Sequence, residues 1–98
     1  MARAIVMKKN DNVATMMCNV KSGETVNVTG PDFELEIEAR NDISFGHKIS
    51  IRDIKEGENI IKYGESIGSA VMNISQGEHV HLHNLMSNRG RGDLVKSS

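Results

Sequence analysis

The segment FELEIEAR, residues 33–40, decides the fold class of this chain. Apolar side chains stand at every odd position of the segment, and Glu or Arg stands at every even position. Successive side chains of a β-strand point to opposite faces, so a period of two predicts a strand with one apolar and one charged face. The pattern stops at Asn41-Asp42, which we read as a turn. We therefore predict a strand that packs on a core through one face only.

Short strands and turns also account for the sequence on either side of this segment. Stretches that are β-branched or alternating predict strands over residues 25–28, 47–54, 59–62, 66–72 and 79–82. Only residues 12–20 have any helical character, and their Val, Thr and Cys content fits a strand equally well. We predict an all-β fold of about eight short strands, closed as a small barrel-like or clip-like domain.

The chain length and the composition of its end indicate one domain with a tail. Ninety-eight residues are too few for two cores, so we predict a single domain over residues 1–86. Residues 87–98 are polar, rich in Gly and without periodicity, and we expect this tail to be flexible in isolation. The sequence has three aromatic residues and no Trp, so the hydrophobic core must be small and aliphatic. Such a core is typical of a domain that is stabilised by a partner protein.

An eight-residue pattern recurs three times and describes a turn. The copies begin at Asn19, Asp53 and Asn73. Each has a polar residue, a β-branched residue, two turn-forming residues, Gly-Glu, a variable residue and then Val or Ile. Gly permits the positive φ of a tight turn, and we expect Glu24 and Glu58 to lie in solvent. The copies are unevenly spaced, so the pattern is a recurring turn and does not indicate a solenoid.

Charge and hydropathy exclude several classes of function. A net charge of −1 gives no reason to expect binding to nucleic acid. The sequence has no basic amphipathic helix and no apolar run near the ~20 residues that span a bilayer. Residues 1–7 are too short for a signal peptide, so we expect a cytoplasmic protein. The single cysteine, Cys18, fits a reducing compartment, and we expect it to be a small buried hydrophobic residue.

The run HVHLHN, residues 79–84, holds three of the four histidines. On a strand, His79, His81 and His83 would share one face. Two imidazoles at i and i+2 can reach one metal ion, whereas three require some bending of the strand. Imidazole suits Fe, Mn, Zn and Ni. The pattern therefore predicts a metal or substrate site, and the alternative that remains open is a solvated or interface face of a surface strand.

Two further segments offer groups for a ligand. In Gly46-His47-Lys48 a glycine permits close approach of the backbone, and the lysine can bind a carboxylate or sulfonate as a point charge. Tyr63, the only tyrosine, lies in a predicted hairpin turn from which its phenol could reach a ligand. We find no phosphate-binding loop, nucleophile-elbow serine, paired-cysteine zinc spacing or dinucleotide fingerprint. The chain therefore shows no self-sufficient active site.

Four segments carry a resemblance to a known family. They are DISFGHK (42–48), RDIKEGE (52–58), IKYGESIG (61–68) and GEHVHLHN (77–84). In this order and spacing they resemble the N-terminal domain of the altronate and galactarate dehydratases, a SAF domain with a β-clip fold. The resemblance covers about residues 10–93, and SNRGRGD (87–93) is similar to the segment where the small domain ends in split versions.

The resemblance implies a function. In this family the domain is either fused to a large catalytic domain or encoded as a separate small subunit, as in sulfolactate sulfo-lyase, and this chain looks like the split form. The family removes water or sulfite from a hydroxy acid and depends on iron or a similar divalent metal. By resemblance, His79, His81 and His83 would face the metal or the shared active site, and His47 and Lys48 would bind the anionic end of the substrate.

The expectation is thus a small subunit of a two-part hydroxy-acid lyase, inactive without a large catalytic dehydratase subunit. Two other functions stay open at this point. One is a SAF ligand-binding module without a catalytic partner, and the other is a small metal-binding protein that uses the histidine run.

Overall fold

The computed structural model describes residues 1–88. These residues form nine strands with almost no helix, which confirms the predicted all-β class. In chain order the strands are β1 (Ala2–Ile5), β2 (Val13–Met16), β3 (Thr25–Gly30), β4 (Phe33–Glu38), β5 (Lys48–Ser50), β6 (Asn59–Lys62), β7 (Glu65–Ala70), β8 (His79–Val80) and β9 (Leu85–Ser87). Within residues 1–88, no helix is both long and apolar enough to cross a lipid bilayer.

The strands form two sheets. Six strands make the larger sheet, in the order β4-β3-β1-β2-β5-β8, and β6-β7-β9 make the smaller one. All neighbouring strands are antiparallel except β1 and β3, which are parallel. The position of β5 between β2 and β8 matters for function, because it puts the Gly46-His47-Lys48 segment beside the start of the histidine run.

Residues 33–40 contain the predicted strand with one buried apolar face and one exposed charged face. In β4 the glutamates are exposed while Ile37 is buried, opposite Val26 of β3. This face belongs to the first core, which holds Ala4, Val6, Ala14, Met16, Val20, Val26, Val28, Ile37, Ala39, Ile43, Ile49 and Ile51. The second core holds Val13, Ile54, Ile60, Ala70, Ile74, Val80 and Leu85.

Several predicted boundaries differ from the structure. The strands expected over 47–54 and 79–82 are only three and two residues long, because turns take the remaining residues. Residues 12–20 contain β2 and no helix. Strand β9 includes Ser87, one residue beyond the predicted domain end, and residues 89–98 of the predicted tail lie outside the described residues.

The recurring turn has four copies, and the fourth escaped the sequence pattern. Turns A to D span residues 19–26, 42–49, 53–60 and 73–80. In turns A, C and D the Gly-Glu glutamate closes its own turn: Glu24 accepts a hydrogen bond from Lys21 N at 2.7 Å, and Glu58 and Glu78 accept equivalent bonds. Glu24 and Glu58 are exposed, as expected, but they also satisfy backbone donors. Turn B has the same backbone, with Gly46 at φ +85°, but His47 replaces the glutamate.

The four turns associate in two pairs. Turn A contacts turn B through reciprocal bonds, in which Ser22 N donates to Asp42 Oδ1 at 2.8 Å and Phe45 N donates to Asn19 Oδ1 at 2.8 Å. Turns C and D repeat this exchange, from Glu56 N to Asn73 Oδ1 and from Gln76 N to Asp53 Oδ1. The polar first residue of each turn therefore satisfies a backbone N–H of its paired turn, which fixes the positions of the residues that follow.

Candidate functional site: a histidine cluster beside two lysines

Three histidines converge where β5 meets β8. One ring nitrogen from each of His47, His79 and His81 lies within 4.8 Å of the others, and all three side chains are half-buried. The closest approach is 3.0 Å, between His47 Nδ1 and His79 Nε2. Because Ile49 is the antiparallel partner of His79, the imidazole two residues before Ile49 lies next to that of His79. We call these three residues the histidine cluster.

A tight turn supplies the third member of the cluster. Strand β8 ends at Val80, and Asn84 closes the turn that follows: its Oδ1 accepts from His81 N at 2.9 Å, and its Nδ2 donates to His79 O at 2.8 Å. This turn brings the ring of His81 to a centroid distance of 4.6 Å from that of His47. His83 is exposed, with its ring tilted 44° to that of His79 at a centroid distance of 5.5 Å.

The grouping differs from the one predicted from the histidine run. His79 and His81 come together as expected, but the third imidazole within ligand distance is that of His47, and His83 stays outside. The strand is too short to hold the alternation through residue 83. The pairing of β5 with β8, which are distant in sequence, brings His47 into the cluster in place of His83.

The donor set fits a divalent transition metal. Metal–imidazole bonds are ~2.1 Å long, so two nitrogens at right angles on one ion are ~3.0 Å apart, and in a tetrahedral arrangement they are ~3.4 Å apart. The 3.0 Å separation of His47 Nδ1 and His79 Nε2 matches these values. It equally matches an N–H···N hydrogen bond between neutral rings, in which the tautomers decide which ring donates.

The surroundings of His79 and His81 favour the neutral form of these two imidazoles. Burial lowers the pKa of His79 to about 4, with further lowering by the neighbouring histidines and Lys48. Burial also lowers the pKa of His81, assisted by the charges of His47, Lys48 and His83. A neutral imidazole has a free lone pair, so near pH 7 these two rings can bind a metal.

One lysine, Lys48, stands beside the cluster, and the charge of a second, Lys62, acts on Lys48. Lys48 is half-buried in β5, and burial together with the nearby charge of Lys62 lowers its pKa. Because Lys48 lies between His47 and Ile49, its side chain leaves the opposite face of the strand from the histidines. Its charge nevertheless reaches His79 and His81, since it lowers the pKa of both.

The predicted ligand-binding tyrosine, Tyr63, is outside the group of three histidines whose ring nitrogens lie together. Tyr63 occupies the β6–β7 hairpin turn with φ +56°, and its ring is 51% exposed. The turn is anchored by the buried Asp11, whose Oδ1 accepts from Gly64 N at 2.7 Å. The Nζ atom of Lys62 lies 5.0 Å from the centre of the Tyr63 ring.

Cys18 is half-buried rather than fully buried as expected. It lines a surface pocket of about 290 Å³ together with Met1, Arg3, Ile5, Met17 and Thr29. No sequence pattern indicated this pocket, because its wall combines residues from β1, from β3 and from the segment after β2.

Fold and site together define a small all-β domain with a histidine cluster and a nearby lysine. The sequence profile of the altronate/galactarate dehydratase SAF domain matches residues 2–88, and the chain belongs to this family. It is 39% identical over 88 residues to the (2R)-sulfolactate sulfo-lyase subunit alpha of Chromohalobacter salexigens, covering 87% of this chain and 94% of that subunit. The subunit alpha of Paracoccus pantotrophus is 39% identical over 62 residues, covering 63% of this chain and 92% of that subunit.

The same domain forms a small part of longer relatives. The chain is 42% identical over 84 residues to altronate dehydratase of Bacillus subtilis, covering 86% of this chain but only 16% of that protein. These relatives are lyases or lyase subunits by name. The domain therefore occurs both within a long chain and as nearly the whole of a separate subunit.

Proposed function

We propose that this chain is the small subunit of a two-part hydroxy-acid lyase, and that it contributes metal-binding and substrate-binding groups to a site completed by a large catalytic subunit. The observation that carries the proposal is the histidine cluster of His47, His79 and His81, in a chain that spans nearly all of a sulfo-lyase alpha subunit. The similarity to both altronate dehydratase and the sulfo-lyase subunit supports elimination of water or sulfite as the reaction class.

In this proposal the histidine cluster would hold a divalent ion, for which Fe²⁺ is the choice favoured by the family resemblance. A bound ion would supply Lewis-acid stabilisation of the leaving hydroxide or sulfite. The residues of this chain then have distinct tasks. The cluster imidazoles would hold the ion in place, and the positive charge of Lys48, which acts on His79 and His81, would attract the anionic substrate toward the cluster. The lowered pKa of His79 keeps that ring neutral, so it does not repel the cation.

The cluster is too open to complete an active site alone. Leu82, which is 76% exposed, and Phe45, which is 63% exposed, each lie within two residues of a cluster histidine in the chain. Elimination chemistry requires a base at the α-proton in a site that excludes water. These exposed apolar side chains support a partner that covers the cluster.

The test is recovery of the complex and assay of its activity. The tagged chain is captured from its native cells, the co-purified chains are identified, and the complex is assayed with altronate, galactarate and sulfolactate. A stoichiometric large subunit and elimination from one of these acids are expected. His81→Ala should then lower turnover much more than it lowers the melting temperature of the small chain.

Two results would contradict the proposal. A chain that is recovered alone, but that binds Fe²⁺ or a hydroxy acid tightly, would support the stand-alone module or the small metal-binding protein. Full turnover of the His81→Ala complex would remove the histidine cluster from the site.

A further inference from the structure

The tip of the β6–β7 hairpin holds a tyrosine in a backbone conformation that tyrosine disfavours. Lys62 and Glu65 are the last paired residues of the two strands, so the loop between them consists of Tyr63 and Gly64. Their φ values are +56° and +79°. A two-residue loop in which both φ values are positive is a type I′ turn, whose first position favours Asn, Asp or Gly. A tyrosine there brings its Cβ close to the following carbonyl oxygen, which is costly.

The fold itself offers little in return for this tyrosine. Among residues 1–88, the only other non-glycine residue at positive φ is Asp32, and aspartate tolerates this conformation because its short side chain can hydrogen-bond locally. Within the same residues the phenol of Tyr63 forms no hydrogen bond, and its half-exposed ring makes one cation–π contact, with Lys62. A bulky side chain that is kept in a costly conformation indicates a function outside the fold.

Two buried polar side chains hold the hairpin in place. Asp11 Oδ1 accepts a hydrogen bond from Gly64 N at 2.7 Å, and its Oδ2 accepts from two backbone N–H groups of the β1–β2 loop, at 3.1 and 3.2 Å. Asn12 Oδ1 accepts from Ile61 N at 2.7 Å. These bonds tie the loop to the hairpin. Because the tip is fixed in advance, Tyr63 would lose little conformational freedom on binding a partner.

Positive charge surrounds the tyrosine. The ammonium group of Lys62 lies over its ring, and the stem of Lys8 packs on the glycine of the turn, with Cγ 3.1 Å from the position that a Cβ would take. Arg52 Nη2 donates to Asp11 O at 3.0 Å. In the part of the chain that the structure describes, none of these three cations forms an ion pair. The adjoining acids are the buried Asp11, whose oxygens accept backbone bonds, and the exposed Glu65.

We propose that Tyr63 and the cations Lys8, Arg52 and Lys62 form a docking surface for the large catalytic subunit. The tyrosine ring enters a pocket of that subunit, and the cations meet acidic groups at the edge of the pocket. Tyrosine and arginine dominate the binding energy of many interfaces, and a tyrosine ring is a rigid anchor with few rotatable bonds. This role replaces the direct substrate contact that the sequence predicts for Tyr63.

The choice of occupant rests on the proposed function and on two observations. The unpaired cations are complementary to an acidic surface. In addition, this domain corresponds to only 16% of altronate dehydratase of Bacillus subtilis, so most of that relative is available to cover a surface of the domain.

The test measures the affinity of the full 98-residue chain for the large subunit that is recovered with it, by titration after the subunits are separated. Tyr63→Asn should weaken this affinity at least about 10-fold, as expected for the central anchor of an interface. The urea midpoint of the variant chain alone should rise, because asparagine suits the first position of a type I′ turn. A residue with a purely structural role would not move affinity and stability in opposite directions.

Two matched charge variants and one activity measurement make the test specific. Lys8→Gln keeps the stem on the turn and removes the charge, so it should weaken the affinity at low salt and have less effect at high salt. Lys21→Gln removes the same charge from the exposed turn A and should have no effect. An excess of the Tyr63→Asn chain should restore wild-type turnover of the large subunit, because the variant binds weakly but is otherwise competent.

Four results would overturn the proposal. The first is unchanged affinity in Tyr63→Asn, and the second is a raised KM for the hydroxy acid at saturation with the variant chain, which would assign Tyr63 to the substrate; the lyase function stands in both cases. The third is self-association of the chain alone that is lost in Tyr63→Asn, which would assign the surface to a second copy. The fourth is recovery of no large subunit, which would contradict the proposed function as well.

Discussion

The substitution His47→Gln should remove one possible metal ligand while leaving the fold intact. In turns A, C and D the equivalent glutamate accepts a hydrogen bond from the backbone three residues earlier, at 2.7 to 2.8 Å. Glutamine has the same reach and an acceptor oxygen, so it can close turn B onto Ser44 N in the same way. Glutamine is also a much poorer ligand than imidazole for a transition metal.

The expected change in the free energy of unfolding is the balance of one hydrogen bond that is lost and one that is gained. The variant loses the 3.0 Å interaction between His47 Nδ1 and His79 Nε2 but forms the turn-closing bond, each worth about 1 kcal/mol. The free energy of unfolding should therefore change by less than about 1 kcal/mol. Loss of one of three imidazole ligands should weaken metal binding at least about 100-fold, which corresponds to ~2.7 kcal/mol.

The assay compares stability and affinity in the same preparation. Urea denaturation of the metal-free chain gives the free energy of unfolding, and anaerobic titration with Fe²⁺, or with Co²⁺ followed by its visible absorption, gives the affinity. His83→Gln is the matched control, because His83 is exposed and outside the cluster. If His47→Gln leaves the metal affinity unchanged, His47 is not a ligand together with His79 and His81. If His83→Gln weakens metal binding more than His47→Gln does, the ligands are instead His79, His81 and His83, as the histidine run predicts.

Three further predictions address the fold and its response to pH. Gly77→Ala should lower the free energy of unfolding by more than about 3 kcal/mol, because the new Cβ would overlap the carbonyl oxygen of Glu38 and the backbone has a φ of +93°. Gly57→Ala, where φ is +90° and the space is open, should cost only about 1 kcal/mol. Equal urea midpoints for the two variants would contradict this reasoning. The folded-state pKa of His79 lies below its unfolded value, so the unfolded chain binds the proton more readily and stability should fall as pH decreases from about 6.5 to about 4. This contribution is about 1 kcal/mol after allowance for solvent screening of a partly exposed ring, and it should be absent from the pH profile of His79→Gln measured without metal. Removal of residues 89–98, which follow β9, should leave the melting temperature within a few degrees of the full chain, and loss of cooperative unfolding would show that the core depends on that segment.

Local patterns predicted most of the strands, although not β1 or β9. The alternation of residues 33–40 is reproduced in β4, because a period of two can bury only one face of a strand. The glycines of the turns have the positive φ that the sequence pattern required. The fourth turn was missed because His47 replaces the glutamate that defined the pattern, and this same replacement puts an imidazole in the histidine cluster.

Long-range pairing decided what the sequence could not predict. The run of three histidines indicated a shared face, but Asn84 closes a turn after Val80 and ends the alternation. His47 joins the cluster through the pairing of β5 with β8, which brings together residues 32 positions apart. Likewise, the opposition of Thr15 and Lys48 follows from strand register, which residue composition does not specify.

The histidine cluster spans the boundary between the two cores. His47 lies two residues before Ile49 of the first core, while His79 and His81 flank Val80 of the second. An ion held by all three would therefore act as a cross-link between two apolar units that otherwise meet through short strands. At a free concentration 100 times Kd, it would stabilise the native state by about 2.7 kcal/mol. Amide hydrogens of β6, β7 and β9 should then exchange more slowly, because local opening of the second core would require release of the ion.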